Sequence, residues 1–393
     1  MPSEKNWMRE YELTFVSTEV GRGTSSTGRA VAVANNLVFI ERDKTVITSI
    51  NQRYPLDISF NISYDPTNTT RQGAMSLSIF GLKESNIDLI SQPNTQVVLK
   101  VGYKSRDPNI ETRPEDLSIL FSGDVINLEV DNTPGKKETK LLCRASKLGS
   151  KPLLVTYSSL GTHKDRLIQM IKDTQVRNPE IDISNALVSL EVIASEEPTK
   201  NELLEKLGVV IFSEDNPALA EYSAPLLNDP VTGSYTAQGT TLEELQKYAK
   251  NFDMDVSVMN RELYFVRKGG AVPSRNQVQA RLGENLLSAP RRVVDASKGP
   301  VGSITSRYEY KCRLLLSPQI KLNTALVSNV TRNTNGTVDD KEFPLKVNKI
   351  IHRGRYYGKV WYTDVVCSEN SESYQDSPLK SVEYDHNIHT KSN

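Results

Sequence analysis

Apolar and polar residues alternate with period two through much of the first third of the chain. Leu56, Ile58, Phe60, Ile62 and Tyr64 are separated by Asp57, Ser59, Asn61 and Ser63, the pattern of a strand with one buried face. Met75, Leu77 and Ile79 repeat it, as do Val97, Leu99, Val101 and Tyr103, and then Ile126, Leu128 and Val130, each run bounded by Gly, Pro or Asn. These runs predict antiparallel strands. Lys83 to Ser91 carries Ile87, Leu89 and Ile90 and is stopped by Pro93, which predicts one short helix or turn between strands.

After Ser150 the spelling changes. Thr162 with Asp165, Thr199 with Glu202, and Thr241 with Glu244 have the spacing of capping boxes. The apolar stripes behind them are Leu167, Met170 and Ile171; Leu203, Leu204 and Leu207; and Leu242, Leu245, Ala249 and Phe252. Ala186 to Ile193 and Val256 to Val266 read as strands between these helices, with Asn260 and Arg261 at the centre of a tight hairpin. From about Ser303 the pattern is β again, with Tyr308, Tyr310 and Cys312 alternating and strands at Leu345 to His352 and Lys359 to Cys367. Ser368 to Asn393 is polar, and too poor in apolar residues to offset the entropy of ordering. The expected organisation is α+β, mainly β: a β domain over 1–150, an α/β region over 151–280, a second β domain over 281–367 and a tail over 368–393.

A length of 393 residues suits two to four domains. The longest apolar runs, such as Ala30 to Ala34, fall far short of the roughly 20 residues that cross a bilayer. Met1 to Trp7 lacks the apolar core of a secretory signal, so synthesis in the cytoplasm is expected. Lys plus Arg equals Asp plus Glu, 48 each, and no basic excess argues for binding nucleic acid through its phosphates. Cys143, Cys312 and Cys367 are far apart in sequence and odd in number, which reads as reduced, semi-buried thiols rather than a disulfide framework or zinc site.

Candidate chemistry is sparse. Gly23 to Ala30 is a near miss to a phosphate-binding loop, but Arg29 and Ala30 replace the required lysine and hydroxyl. His163, His352, His386 and His389 stand in no catalytic context and read as surface residues. The adjacent acids Glu196 and Glu197, Glu214 and Asp215, and Asp339 and Asp340 read as solvated loop residues. The sequons at Asn61, Asn68, Asn329 and Asn335 would matter only on a eukaryotic secretory route. No catalytic residue, cofactor or metal ligand is assigned.

Two stretches look like family signatures. Val97-Val98-Leu99-Lys100-Val101-Gly102-Tyr103, followed by Ile119-Leu120-Phe121-Ser122-Gly123-Asp124-Val125, resembles the pattern of tube-like domains in the baseplate hub proteins of long-tailed bacteriophages. His352 to Thr363 resembles the closing hairpin of the same family, with Gly354 and Gly358 bracketing a turn and Trp361 capping a core. Thr241 to Lys268 is similar to its helix-plus-hairpin unit. Gly302 to Val330 is similar to a further strand, except that Leu322 or Asn323 stands where a glycine is often found.

The resemblance covers roughly residues 50 to 367 and lies in the order of these motifs. It implies a non-enzymatic structural protein of the virion with two tube-like antiparallel β-barrel domains, so that a homotrimer presents six similar units to a sixfold tail tube. The implied partners are the tail tube protein, a central spike protein made as a separate polypeptide, the wedge proteins of the baseplate and the tape measure protein. DNA would pass only in transit, and no membrane insertion is expected. Gly102, Tyr103, Phe121, Gly123, Asp124, Gly354, Gly358, Trp361 and Thr363 would hold the barrels together. Gly21, Arg22, Gly23, Gly28 and Arg29 would form a loop touching the tube. The competing reading is a peptidoglycan-degrading or glycan-binding tail protein with its active module in the middle region; a weaker one is an injected protein that contacts DNA.

Overall fold

The computed structural model of the chain describes residues 9–22, 30–34, 37–67, 73–103, 113–133, 136–148, 152–195, 226–267, 272, 277–294, 308–328, 331–332, 338–339 and 343–369. Eight strands come from the N-terminal part: β1 (Arg9–Arg22), β2 (Ala30–Ala34), β3 (Leu37–Thr48), β4 (Ile58–Tyr64), β5 (Ala74–Phe80), β6 (Thr95–Tyr103), β7 (Ser118–Thr133) and β8 (Lys136–Arg144). Helix α1 (Glu84–Ile90) fills the place foreseen for a short helix. All neighbours pair antiparallel in the order β4-β5-β8-β7-β6-β1-β3-β2.

The alternation is physical. Ile58, Phe60, Ile62 and Tyr64 point inward together with Met75, Leu77, Ile79, Val97, Leu99 and Val101, and all are buried. It fails at Ile126 and Val130, which are 46% and 38% exposed. Strand β6 accompanies β7 only as far as Asp124, and β7 then bulges between Val125 and Asn127, so its far half pairs with β8 alone.

The middle region holds α2 (His163–Arg177), α3 (Ser184–Ser195), the short ribbon of β9 (Val155–Tyr157) and β10 (Tyr235–Ala237), α4 (Thr241–Ala249), and the hairpin of β11 (Met254–Met259) and β12 (Glu262–Arg267). Thr162 caps α2 with Asp165 as read from the sequence. The α4 box sits one residue earlier than expected: Thr240 is the extended cap and Glu243 its partner, because Glu244 binds the Gly239 amide (3.0 Å) and the Tyr235 hydroxyl (2.6 Å). The segment expected as a strand at Ala186 to Ile193 is helix α3. Its buried residues Ala186, Leu190 and Ile193 recur at helical spacing, and Asp182 accepts the Ser184 amide (2.8 Å) where the helix begins. The helix start at Thr199 lies outside the described residues.

The C-terminal part supplies β13 (Gln277–Ala280), β14 (Leu286–Val294), β15 (Tyr308–Leu315), β16 (Ala325–Ser328), β17 (Thr331–Arg332), β18 (Val338–Asp339), β19 (Phe343–Arg355) and β20 (Trp361–Glu369). Strands thus begin well before Ser303. Ser368 and Glu369 belong to β20 rather than to the polar tail, the rest of which lies outside the described residues.

Strand β19 pairs with β4 from Tyr64 opposite Ile350 to Ser59 opposite Arg355. Through that pair the N- and C-terminal strands form one sixteen-stranded sheet, mainly antiparallel, and no strand path closes on itself into a barrel among the described residues. The molecule is α+β and mainly β. Its buried apolar side chains form one principal cluster that runs from Tyr11 through Leu190 to Cys367 and so includes all three regions. No helix among the described residues is long and apolar enough to cross a membrane.

Candidate functional site

The signature residues do not converge on one point; they sit on the seams that join the parts of the sheet. Gly354 lies near the end of β19, just before the turn at Tyr356 and Tyr357, opposite Phe60 on one side and Trp361 on the other. A Cβ there would lie 2.2 Å from the Phe60 ring, which packs edge-on against buried Trp361 at 5.4 Å. The glycine makes room for that aromatic pair. Gly358 does lie in the connection between β19 and β20, where its amide donates to the Arg355 carbonyl (3.0 Å).

Arg9, at the start of β1, donates to the carbonyls of Arg355 (3.1 Å) and Gly358 and stands 5.4 Å over the Trp361 ring. The first strand is therefore fastened to the last hairpin. Beside it the Tyr11 hydroxyl donates to the Leu56 carbonyl (2.7 Å), and its ring meets Tyr356 edge-on at 5.1 Å.

Gly123 is constrained from across the sheet. β7 runs straight through it, and the glycine is required because a Cβ would stand 2.1 Å from the backbone oxygen of Arg144 on β8. The bulge lies further on, between Val125 and Asn127. Phe121 is wholly buried. Asp124 is nearly buried, with Arg261 of the middle hairpin at 3.8 Å and Lys147 at 3.9 Å. At the end of β6, a Cβ on Gly102 would meet the Leu117 side chain at 2.7 Å, and the Tyr103 hydroxyl donates to the Leu316 carbonyl (3.3 Å) in the C-terminal part.

All three regions meet beneath these seams. The Tyr64 hydroxyl reaches the Leu120 carbonyl (3.1 Å) and Asn260 Oδ1 (2.9 Å), and the same Oδ1 accepts the Ser122 amide (3.0 Å). Asn260 and Arg261 both have positive φ, 52° and 67°, as a two-residue hairpin turn requires. On the other side of Tyr64 lies His352, edge-on at 6.1 Å. It is not a surface residue: it is fully buried in mid-strand, its Nδ1 2.9 Å from Thr363 Oγ1, while Nε2 has no partner. Burial lowers its pKa to about 3, so the ring is neutral. Thr363 Oγ1 also accepts the Ser317 amide (3.2 Å).

Asn323 takes the left-handed backbone conformation that favours glycine, with φ of 60°. Its buried side-chain amide donates to the Phe265 carbonyl (2.8 Å) and to Ser189 Oγ (3.3 Å), tying the middle region to the C-terminal part. Lys321 pairs with Glu262 (3.0 Å) alongside. Gly21 and Arg22 extend β1, opposite Val38 and Leu37, and so are strand rather than loop. Gly23, Gly28 and Arg29 lie outside the described residues, as do His386, His389, Glu196, Glu197, Glu214, Asp215 and Asp340. His163 opens α2 half-buried, its Nδ1 2.7 Å from the Tyr248 hydroxyl. The three cysteines are free and fully buried rather than semi-buried. Among the described residues no three His, Cys, Asp or Glu side chains converge as a metal site.

Sequence reasoning missed Arg9 altogether, read Tyr64 and Asn260 only as strand and turn residues, and read His352 as a surface residue. The signal available was a conflict of type: a histidine on the apolar side of a strand and a polar pair inside a hairpin otherwise buried.

No family model and no curated protein matches the chain. Solved structures similar to it include tail proteins of prophages. A 43 kDa tail protein of prophage MuSo2 from Shewanella oneidensis is 10% identical, with 80% of this chain and 98% of that one covered at a TM-score of 0.41. The tail protein from Neisseria meningitidis MC58 is 9% identical, with 80% and 97% covered at 0.42. An E. coli component of the type VI secretion system, described as structurally similar to T4 bacteriophage tail proteins, is 6% identical, with 82% and 76% covered at 0.40.

Proposed function

We propose that this chain is a structural component of a phage tail, and specifically the baseplate hub: three copies form a ring whose N- and C-terminal β parts present six similar units to the tail tube on one face and the central spike on the other. The observation that carries the reading is the placement of the family-like motifs. Gly102-Tyr103, Phe121 to Asp124 and Gly354 to Thr363 are far apart in sequence, yet each lies on a seam between β parts or between a β part and the middle hairpin. Residues so used fasten the β parts and the middle hairpin to one another. The units are 1–150, 151–280 and 281–367, with 368–393 as a tail. Tube, spike, wedge and tape measure proteins are the partners, and the virion is the destination. The exposed apolar residues of the β7–β8 hairpin, Ile126, Val130 and Leu142, are surfaces for such contacts. Light scattering on the purified chain tests the reading. A particle of three times the 43.9 kDa chain mass supports it, and a monomer at every concentration overturns it.

A further inference from the structure

Beyond the seam at Arg9, one end of the sheet carries an exposed aromatic and basic platform. It is built from residues 51–57, which lead into β4, and residues 355–360, which join β19 to β20. Tyr54 is 79% and Tyr357 63% exposed, and Arg53, Arg355, Lys359 and Val360 of the same two segments also stand in solvent. Large rings left in water mark a contact surface, and tyrosine with arginine is the composition of interface hot spots. The platform is rigid before anything binds. The Tyr357 hydroxyl donates to the Pro55 carbonyl (3.0 Å), its amide donates to Asp57 Oδ1 (3.3 Å), Arg355 pairs with Asp57 (3.3 Å), and Arg53 stands 5.4 Å over the Tyr54 ring. Its three positive side chains outnumber its one acid, so the complementary occupant is acidic.

A segment of that chemistry lies within the chain itself. Residues 370–393 carry four acids, Glu372, Asp376, Glu383 and Asp385, against two lysines, and Val382 and Tyr384 alternate with the last two acids. Strand β20 runs nine residues from Trp361, beside the platform, to Glu369, a distance of roughly 27 Å. A chain turning back from Glu369 covers that distance in about nine residues, which brings Leu379 to Asp385 onto the platform. We propose that this acidic, aromatic stretch of the chain's own tail docks there, with Val382 and Tyr384 against Tyr54 and Tyr357, and Glu383 and Asp385 facing Arg53 and Lys359. Exposed contacts of this kind are individually weak. Tethering offsets that weakness: at an effective concentration of about 1 mM, a Kd of about 0.1 mM leaves the platform covered about nine-tenths of the time.

Millisecond hydrogen exchange of the full chain, read by mass spectrometry, tests this. Amides of residues 379–388 should exchange about tenfold more slowly than in a free peptide of the same sequence, and the protection should fade as salt is raised. Arg53→Glu with Lys359→Glu should abolish it, Glu383→Lys with Asp385→Lys should do the same, and the four together should restore it. Arg53 and Lys359 are exposed, so an unchanged thermal unfolding curve is expected and separates lost docking from lost folding. Two results overturn the proposal: tail amides that exchange at the free-peptide rate, which leaves the platform to another partner, or protection that survives reversal of Arg53 and Lys359, which seats the tail elsewhere. Neither bears on whether three copies form a ring.

Discussion

Acid should loosen this protein through His352. The ring is fully buried at the centre of the β4–β19 junction, and burial holds its pKa at about 3, against about 6.5 for a free histidine. The folded state thus refuses a proton that the unfolded chain accepts readily. Because the folded pKa is the lower one, the stability linked to this group is complete above pH 6.5 and falls as the pH drops from 6.5 toward 3. At about 1.4 kcal/mol per unit, the loss at pH 5 is about 2 kcal/mol. Asp65, Asp165 and Glu243, whose carboxyls are held below their usual values, matter mainly at lower pH. Urea unfolding of the wild type and of His352→Gln at pH 7.5 and 5.0 isolates the effect. The wild type should lose about 2 kcal/mol more than the variant between the two conditions. Equal losses in both proteins would refute the reasoning, because the titrating group would then lie elsewhere.

Gly354→Ala should cost about 1–3 kcal/mol by driving a methyl into the Phe60 ring, and Phe60→Leu should recover part of that loss in a double-mutant cycle measured by denaturant titration. Asn323→Ala should destabilise by about 1–3 kcal/mol, because it leaves the Phe265 carbonyl unpaired and puts alanine at positive φ; Asn323→Gly, which keeps the backbone conformation, should cost less in the same assay. Thr240→Ala should lower stability by about 1 kcal/mol, since Thr240 and not Thr241 caps α4, and a shift in thermal midpoint reads it directly.

The strands of the first third were legible because one face of each is dry, and Ile58 to Tyr64 shows the pattern without a break. Ile126 and Val130 have the same spelling but stand largely in solvent: alternation records that a strand has two faces, not whether a neighbour covers one. Helix α3 was misread because Val188, Val192 and Ile193 favour strands locally, while packing against the middle hairpin selects the helix. Gly123 and Gly354 stand out within their motifs, but what makes each necessary is an atom across the sheet, Arg144 O or the Phe60 ring. Such contacts join residues tens to hundreds of positions apart, and no local window contains them. The same holds for the β4–β19 pair, which makes one sheet of what the sequence presents as two β segments.

In the proposed assembly, three copies of this chain present six similar units around one axis. Electron microscopy of the purified protein, classified without imposed symmetry, tests it most directly. A threefold ring with six comparable lobes is the expected result. A ring of any other symmetry, or three lobes with no second set resembling them, would contradict the account.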